Sequence, residues 1–279
     1  MRTELRLFRA HGLGNDYLVL EAGGPLNAEL VRQICDRHTG VGSDGILEPR
    51  DLPEAHFGVT IWNPDGSIAE KSGNGLRIFA WWLHHEQGAP MAFTVSTGTD
   101  VVACEVDGDQ VRIEMGTATQ EPGALPLDSP TPWTQHPLTL GEHTVRVTAV
   151  SMGNPHAVVF VDEPDLDTVP WRAWGEALET HPSFPNRTNV QVAHVDGEGR
   201  LELRIWERGA GPTLASGSSS CATVVAAVIT GRLDPGRHVA HMPGGTLVVT
   251  VGPSLDVVLE GPVEPICRAT VAPSWLAAR

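Results

Sequence analysis

The feature that most constrains this chain is an internal repeat. Ile61-Trp62-Asn63 precedes Ser72-Gly73 by the interval that separates Ile205-Trp206-Glu207 from Ser216-Gly217, so the two segments superpose at a shift of 144. A second match, Leu13-Gly14-Asn15-Asp16 against Met152-Gly153-Asn154-Pro155, falls at a shift of 139, and an apolar strand follows each time, Tyr17 to Leu20 and Ala157 to Val161. The third is a hairpin pattern. Phe93 to Glu105, an Asp107-Gly108 turn and Val111 to Met115 match Gly245 to Val251, a Gly252-Pro253 turn and Leu255 to Leu259. Alternating apolar residues around turn formers carry that reading. Three matches in one order imply two similar halves, and 279 residues suffice for two cores of about 140 residues each. A pseudo-two-fold axis is expected between them. The five prolines of the stretch from Glu121 to Pro137 make it the expected linker.

In each half the strand ending at Trp62 or Trp206 runs through a glycine-containing loop into an apolar segment predicted as helix, Gly75 to His84 or Ala222 to Thr230. Ser72-Gly73-Asn74-Gly75 and Ser216-Gly217-Ser218-Ser219-Ser220 stand before them, offering caps and backbone N–H groups. One such loop taken singly is read as a helix cap. Two at equivalent places also predict a cleft with a pair of positive helix ends aimed at one ligand carboxylate.

A formal charge of -15 and a pI near 5.1 disfavour phosphate backbones and anionic membranes as partners, while a small zwitterion remains compatible. No apolar run is long enough to span a bilayer and the first residues lack a signal-peptide stretch, so a cytoplasmic location is expected. Cys35, Cys104, Cys221 and Cys267 form no Cys-x-x-Cys pair; they read as reduced, mostly buried thiols, with no metal site. The sole lysine, Lys71, excludes a P-loop and is expected to point into solvent, because its neighbour Ser72 faces the cleft.

His11-Gly12-Leu13-Gly14-Asn15-Asp16, Asn63-Pro64-Asp65-Gly66-Ser67, Ser72-Gly73-Asn74-Gly75, Gly153-Asn154-Pro155-His156, Thr188-Asn189-Val190 and Glu207-Arg208-Gly209-Ala210-Gly211 together resemble diaminopimelate epimerase, in the family's order from Phe8 to about Gly261. The resemblance implies an α+β fold of two pseudo-symmetric domains, each a mixed sheet wrapped around a central helix. Their expected extents are residues 1–118, with 263–279 returning to them, and 119–262, the active site lying between. It also implies a cofactor-independent isomerase of lysine and cell-wall precursor synthesis, acting on LL- and meso-diaminopimelate, with room for a homodimer. By resemblance Asn15, Asn63, Asn189, Glu207 and Arg208 hold the distal amino-acid group of the substrate, Asn74, Gly217 and Ser218 hold the reacting end, and Gly73 and Asn154 complete the binding set.

The family places a cysteine at the start of each central helix, one removing the α-proton and the other supplying one. This chain has Ser72 and Ser216 there. A thiol can be ionised at a helix N-terminus, whereas a hydroxyl roughly five pKa units weaker needs about 7 kcal/mol more to reach the anion. Three readings of the serines stand side by side: catalysis by Ser72 and Ser216 with help from a neighbouring base, His156 or Glu207; deliberate replacement of both cysteines; and a homologue that has lost epimerisation. A related racemase or dehydratase, or an amino-acid-binding protein without turnover, are the rival functions. Pro212 departs from the family's usual glutamate, and Cys221 is expected to be buried, a poor substitute nucleophile.

Overall fold

A computed structural model describes residues 4–278. The chain divides into two compact units, one running to Glu114 and resuming at Gly261, the other spanning Met115–Glu260. The first begins with β1 (Arg6–Gly12), β2 (Asn15–Ala22), α1 (Ala28–Cys35), β3 (Ile46–Arg50), β4 (Phe57–Trp62) and β5 (Ile68–Ala69). It continues with α2 (Gly73–Gln87), β6 (Ala92–Ser96), β7 (Val101–Asp107) and β8 (Gln110–Thr117). The second contains β9 (His136–Leu140), β10 (His143–Ser151), β11 (Pro155–Phe160), α3 (Trp171–Glu179), β12 (Asn189–Val195), β13 (Leu201–Glu207) and β14 (Gly211–Thr213). α4 (Gly217–Ile229), β15 (Gly236–Met242), β16 (Gly245–Val251) and β17 (Asp256–Pro262) follow, and the chain ends with β18 (Glu264–Thr270) and α5 (Pro273–Ala277).

Within the first unit the sheet order is β18-β1-β2-β3-β4-β6-β7-β8, with β5 a short partner of β4; β2–β3 and β4–β6 are parallel and the other pairs antiparallel. The second sheet runs β9-β10-β11-β12-β13-β15-β16-β17, with β14 on β13, and again only β11–β12 and β13–β15 are parallel. The two sheets match strand for strand in spatial order and pairing sense, except that the strand beside β1 is β18 from the chain's end, where β10 has β9 just before it. Each is a mixed sheet around one buried helix: α2 packs on β1, β2 and β7, and α4 on β10 to β13, β15 and β16. The α+β fold expected from the sequence is the one observed.

Period-two burial explains the hairpins. Val102, Cys104, Val106, Val111, Ile113 and Met115 point inward in β7 and β8, as do Leu247, Val249, Val251, Val257 and Leu259 in β16 and β17. The predicted strand from Phe93 to Glu105 is in fact two, β6 and β7, folded back by a turn in which Thr97 N–H reaches the Asp100 carbonyl at 2.9 Å. The central helices also start earlier than their apolar patterns suggest, at Gly73 and Gly217. Glycine and serine lower intrinsic helix propensity, but the first turns are buried, and tertiary packing outweighs propensity there. α2 ends at Gly88 in the left-handed region, φ 74°.

The proline-rich stretch is not a free linker. Leu125, Leu127 and Trp133 are buried with Val145, Val147, Trp171 and Phe184 in the core of the second unit. Its prolines limit regular structure to a 3-10 turn at Pro122–Ala124 and the start of β9, without preventing burial of its apolar side chains.

Candidate active site

Ser72 is the N-cap of α2. Its Oγ accepts the Gly75 N–H at 3.0 Å and lies 3.0 Å from the phenolic oxygen of Tyr17 on β2. Gly45 makes that approach possible, since a Cβ there would come within 2.6 Å of the Tyr17 ring and 2.5 Å of the Trp62 carbonyl oxygen. Ser216 occupies the same place before α4, yet its side chain makes no capping hydrogen bond. The expectation that both serines cap is therefore met at one of them, and the two hydroxyls differ in environment.

A chain of amides and ions orients the rest of the first unit's site. Asn74 Nδ2 donates to Asn15 Oδ1 at 2.9 Å, and Asn15 Nδ2 donates to Asp44 at 2.8 Å. Asn74 Oδ1 accepts from Arg77, buried in α2, at 2.8 Å. Arg37 bridges Asp44 and the buried Asp16, each at 2.7 Å, and Arg9 also binds Asp16. A carboxylate at one end and a guanidinium at the other leave each amide one orientation that suits its neighbours. The structure thus brings Asn15, Asn74 and Ser72 into one unit of polar structure, with Gly73 opening the helix between the last two. Asn63 lies in a separate turn. Its side chain donates to Ser67 Oγ at 2.9 Å, and its carbonyl accepts the Gly66 N–H at 3.0 Å.

In the second unit Asn154, His156, Asn189 and Arg208 cluster. His156 is fully buried; its Nε2 lies 2.9 Å from Asn154 Oδ1 and its Nδ1 lies 3.1 Å from Gln191 Nε2. Gln191 Nε2 also donates to Ser219 Oγ, in the first turn of α4, at 3.0 Å. The consistent assignment is a neutral imidazole protonated on Nε2, accepting at Nδ1. Burial drives its pKa down to about 3, and the nearby Arg208 charge adds to this. An imidazole held neutral so strongly is a poor proton acceptor, which weighs against the base role expected for His156. It is suited to orienting Asn154.

Asn189 Nδ2 donates to the Pro155 carbonyl at 3.0 Å and its Oδ1 accepts the Arg208 N–H at 3.0 Å. Glu207 is half-buried at the end of β13, and Arg208 is exposed on the turn that closes with Ala210 N–H on the Glu207 carbonyl. Gly217 is buried and Ser218 half-buried in the first turn of α4.

Several expectations need amending. Lys71 is not solvated: its side chain is 14% exposed and its ammonium meets Asp100 at 2.6 Å. Cys221 is buried as expected, while Cys267 is exposed on β18. Sequence reasoning missed Tyr17, Asp44 and Gln191, which touch the proposed site residues Ser72, Asn15 and His156 from parts of the chain distant in sequence. Only Asp44, within Gly42-Ser43-Asp44-Gly45, sits in a pattern that could have drawn attention as a polar turn.

Comparison with known proteins bears on what this site does. The family profile described as Diaminopimelate epimerase matches residues 7–121 and 148–265. A diaminopimelate epimerase from Teredinibacter turnerae is 38% identical over 275 residues, covering 96% of this chain and 99% of the relative. One from Pelotomaculum thermopropionicum is 40% identical over 272 residues, covering 92% and 95%. Among solved structures, a hydroxyproline epimerase from Agrobacterium vitis with bound trans-4-OH-L-proline shares the fold, with a TM-score of 0.72 at 16% identity over 97% of this chain and 92% of its own.

Proposed function

This chain belongs to the diaminopimelate epimerase family, and from that premise we propose that it binds diaminopimelate and interconverts the LL and meso forms through proton transfer at the α-carbon, with Ser72 and Ser216 in the two proton-transfer positions. The observation that carries the reading is the equivalence of those serines: each immediately precedes the buried central helix of a unit, and the units match in the spatial order and pairing sense of their strands. A helix N-terminus presents N–H groups and a positive dipole end, which favour a substrate carboxylate and the charge that develops as the α-proton leaves. Asn15, Asn63, Asn189, Glu207 and Arg208 are assigned to the distal amino-acid group, Asn74, Gly217 and Ser218 to the reacting end, and Gly73 and Asn154 to the binding set. No described helix is long and apolar enough to cross a membrane, which suits the cytoplasmic location we assign.

The serines make turnover slow. A hydroxyl about five pKa units weaker than a thiol starts with a deficit of about 7 kcal/mol, on the order of five decades of rate before compensation. Solvent deuterium incorporation at the α-carbon tests this across the four combinations of serine and cysteine at positions 72 and 216. One face needs a base and the other an acid, so Ser72→Cys with Ser216→Cys should accelerate exchange far beyond the product of the single changes. An all-serine protein exchanging as fast as the double variant would refute the assignment of these two positions.

A further inference from the structure

Glu179 is buried at the end of α3, 5% exposed, and takes no part in the site as assigned so far. Its Oε2 accepts the Trp206 indole N–H at 2.8 Å; its Oε1 accepts the Gly209 N–H at 2.5 Å and the Arg187 guanidinium at 2.6 Å. Its own carbonyl accepts the Thr188 N–H at 3.1 Å. The residues held in this way flank Glu207 and Arg208 on both sides and adjoin Asn189, whose amide oxygen already takes the Arg208 N–H at 3.0 Å. One carboxylate therefore ties together both stretches of chain that carry the distal-group residues of this unit.

The first unit contains a control. Trp62, the counterpart of Trp206, donates its indole N–H to the buried Glu48 at 2.9 Å. The other oxygen of Glu48 takes the Leu26 N–H at 3.0 Å and does not touch the turn after Trp62. Satisfying an indole N–H, buried in Trp62 and half-buried in Trp206, is thus a task that either glutamate performs. Reaching on to Gly209 is what Glu179 does in addition, and Gly209, at φ 79°, is the left-handed residue on which the turn depends. An exposed turn could leave that N–H to water; here it is fastened to a buried charge.

We propose that Glu179 is a specificity-determining positioning residue, which fixes the Glu207-Arg208-Gly209 turn so that Arg208 is pre-oriented for the distal amino-acid group of a diamino diacid. The inference rests on the function proposed above. Pre-orientation saves the ordering cost that a loose turn would incur on binding. The distal group does not react, so its loss should weaken substrate binding and leave the chemical step little changed.

Glu179→Gln tests this. The amide offers one acceptor and one donor, so its NH2 must oppose either the Trp206 indole N–H or the Gly209 N–H. Losing one hydrogen bond to a charged acceptor corresponds to about tenfold to hundredfold in affinity. Calorimetry should show the dissociation constant for meso-diaminopimelate rising by that factor, while that for 2-aminoheptanoate, which lacks the distal amino and carboxyl groups, stays within about twofold. In the Ser72→Cys/Ser216→Cys background, where the two thiols carry the proton and Glu207 serves the distal group alone, the loss should appear in KM and not in kcat. Adding Trp206→Phe removes the opposing indole donor, lets the glutamine oxygen return to Gly209 and should recover most of the lost affinity, which also serves if Glu179→Gln alone folds poorly. Equal weakening of both ligands, unchanged diaminopimelate affinity, or no recovery in the double variant would overturn the proposal. A wild-type protein that binds no diaminopimelate would instead sink the functional reading beneath it.

Discussion

Replacing Ser72 by cysteine should create a thiol that ionises more easily than one placed at Ser216, although the two positions are equivalent in the repeat. Ser72 Oγ receives the Gly75 N–H at 3.0 Å and lies 3.0 Å from the Tyr17 hydroxyl, which can donate to an anion there. A hydrogen bond to a charged acceptor contributes about 1.5 kcal/mol at the low end of its range. Two such bonds, about 3 kcal/mol, correspond to roughly two pKa units and would bring a thiol from its reference near 8.5 to about 6.5. Ser216 lacks the capping bond. A thiol there gains chiefly from the helix end, about 0.5 to 1 kcal/mol, and should titrate near 8. The assay is the pH dependence of iodoacetamide alkylation in each single variant, with the modified peptide identified so that Cys267 is counted apart. Adding Tyr17→Phe to Ser72→Cys should raise the pKa by about one unit, the share of one bond. If the thiol of Ser72→Cys titrates no lower than the ordinary thiol reference, or no lower than the thiol of Ser216→Cys, the reasoning is refuted, as it is by indifference to Tyr17→Phe.

Two further outcomes follow from burial. The pKa of His156 is lowered in the folded protein to about 3 from a reference of 6.5, so the unfolded chain binds the extra proton first: stability from this group is complete above about pH 6.5 and is lost as the pH falls toward 3. His156→Gln should flatten that limb of the stability curve measured by urea unfolding between about pH 4 and 7, and an unchanged slope would contradict the burial argument. Burial likewise pushes Cys35 up to about 11 and Cys104 up to about 12, and Cys221 is inaccessible, so a thiol reagent at neutral pH should label the native protein at Cys267 and the unfolded one at all four cysteines.

The repeat was legible because it is a property of order and spacing: the shift of 144 between the Trp-to-Ser segments predicted two similar units, and each unit has the same strand order. Period-two alternation gave β8, β16 and β17, and the serines before the apolar runs located the starts of both central helices to within a few residues. Proposed site residues such as Asn15, Asn74, Asn154 and Asn189 could be named because they lie in motifs that resemble those of the family.

What order and spacing could not supply were the partners. Tyr17 meets Ser72 across 55 positions, Gln191 meets Ser219 across 28, and Glu179 meets Gly209 across 30; each pairing exists because helices packed on the sheet and the turns between strands bring distant parts of the chain to one place. Propensity also misled where burial opposed it, in the glycine- and serine-rich first turns of α2 and α4 and in the proline-rich stretch whose Leu125, Leu127 and Trp133 enter a core. The chain's order thus determined the repeat, and its family-like motifs the fold class and the places proposed for the chemistry. Tertiary structure alone decided the state of each group in those places: one serine capped and the other not, a histidine held neutral, a turn fastened to a buried glutamate. Burial and long-range hydrogen bonding act on whichever atoms the fold brings together, and neighbours in sequence do not record them.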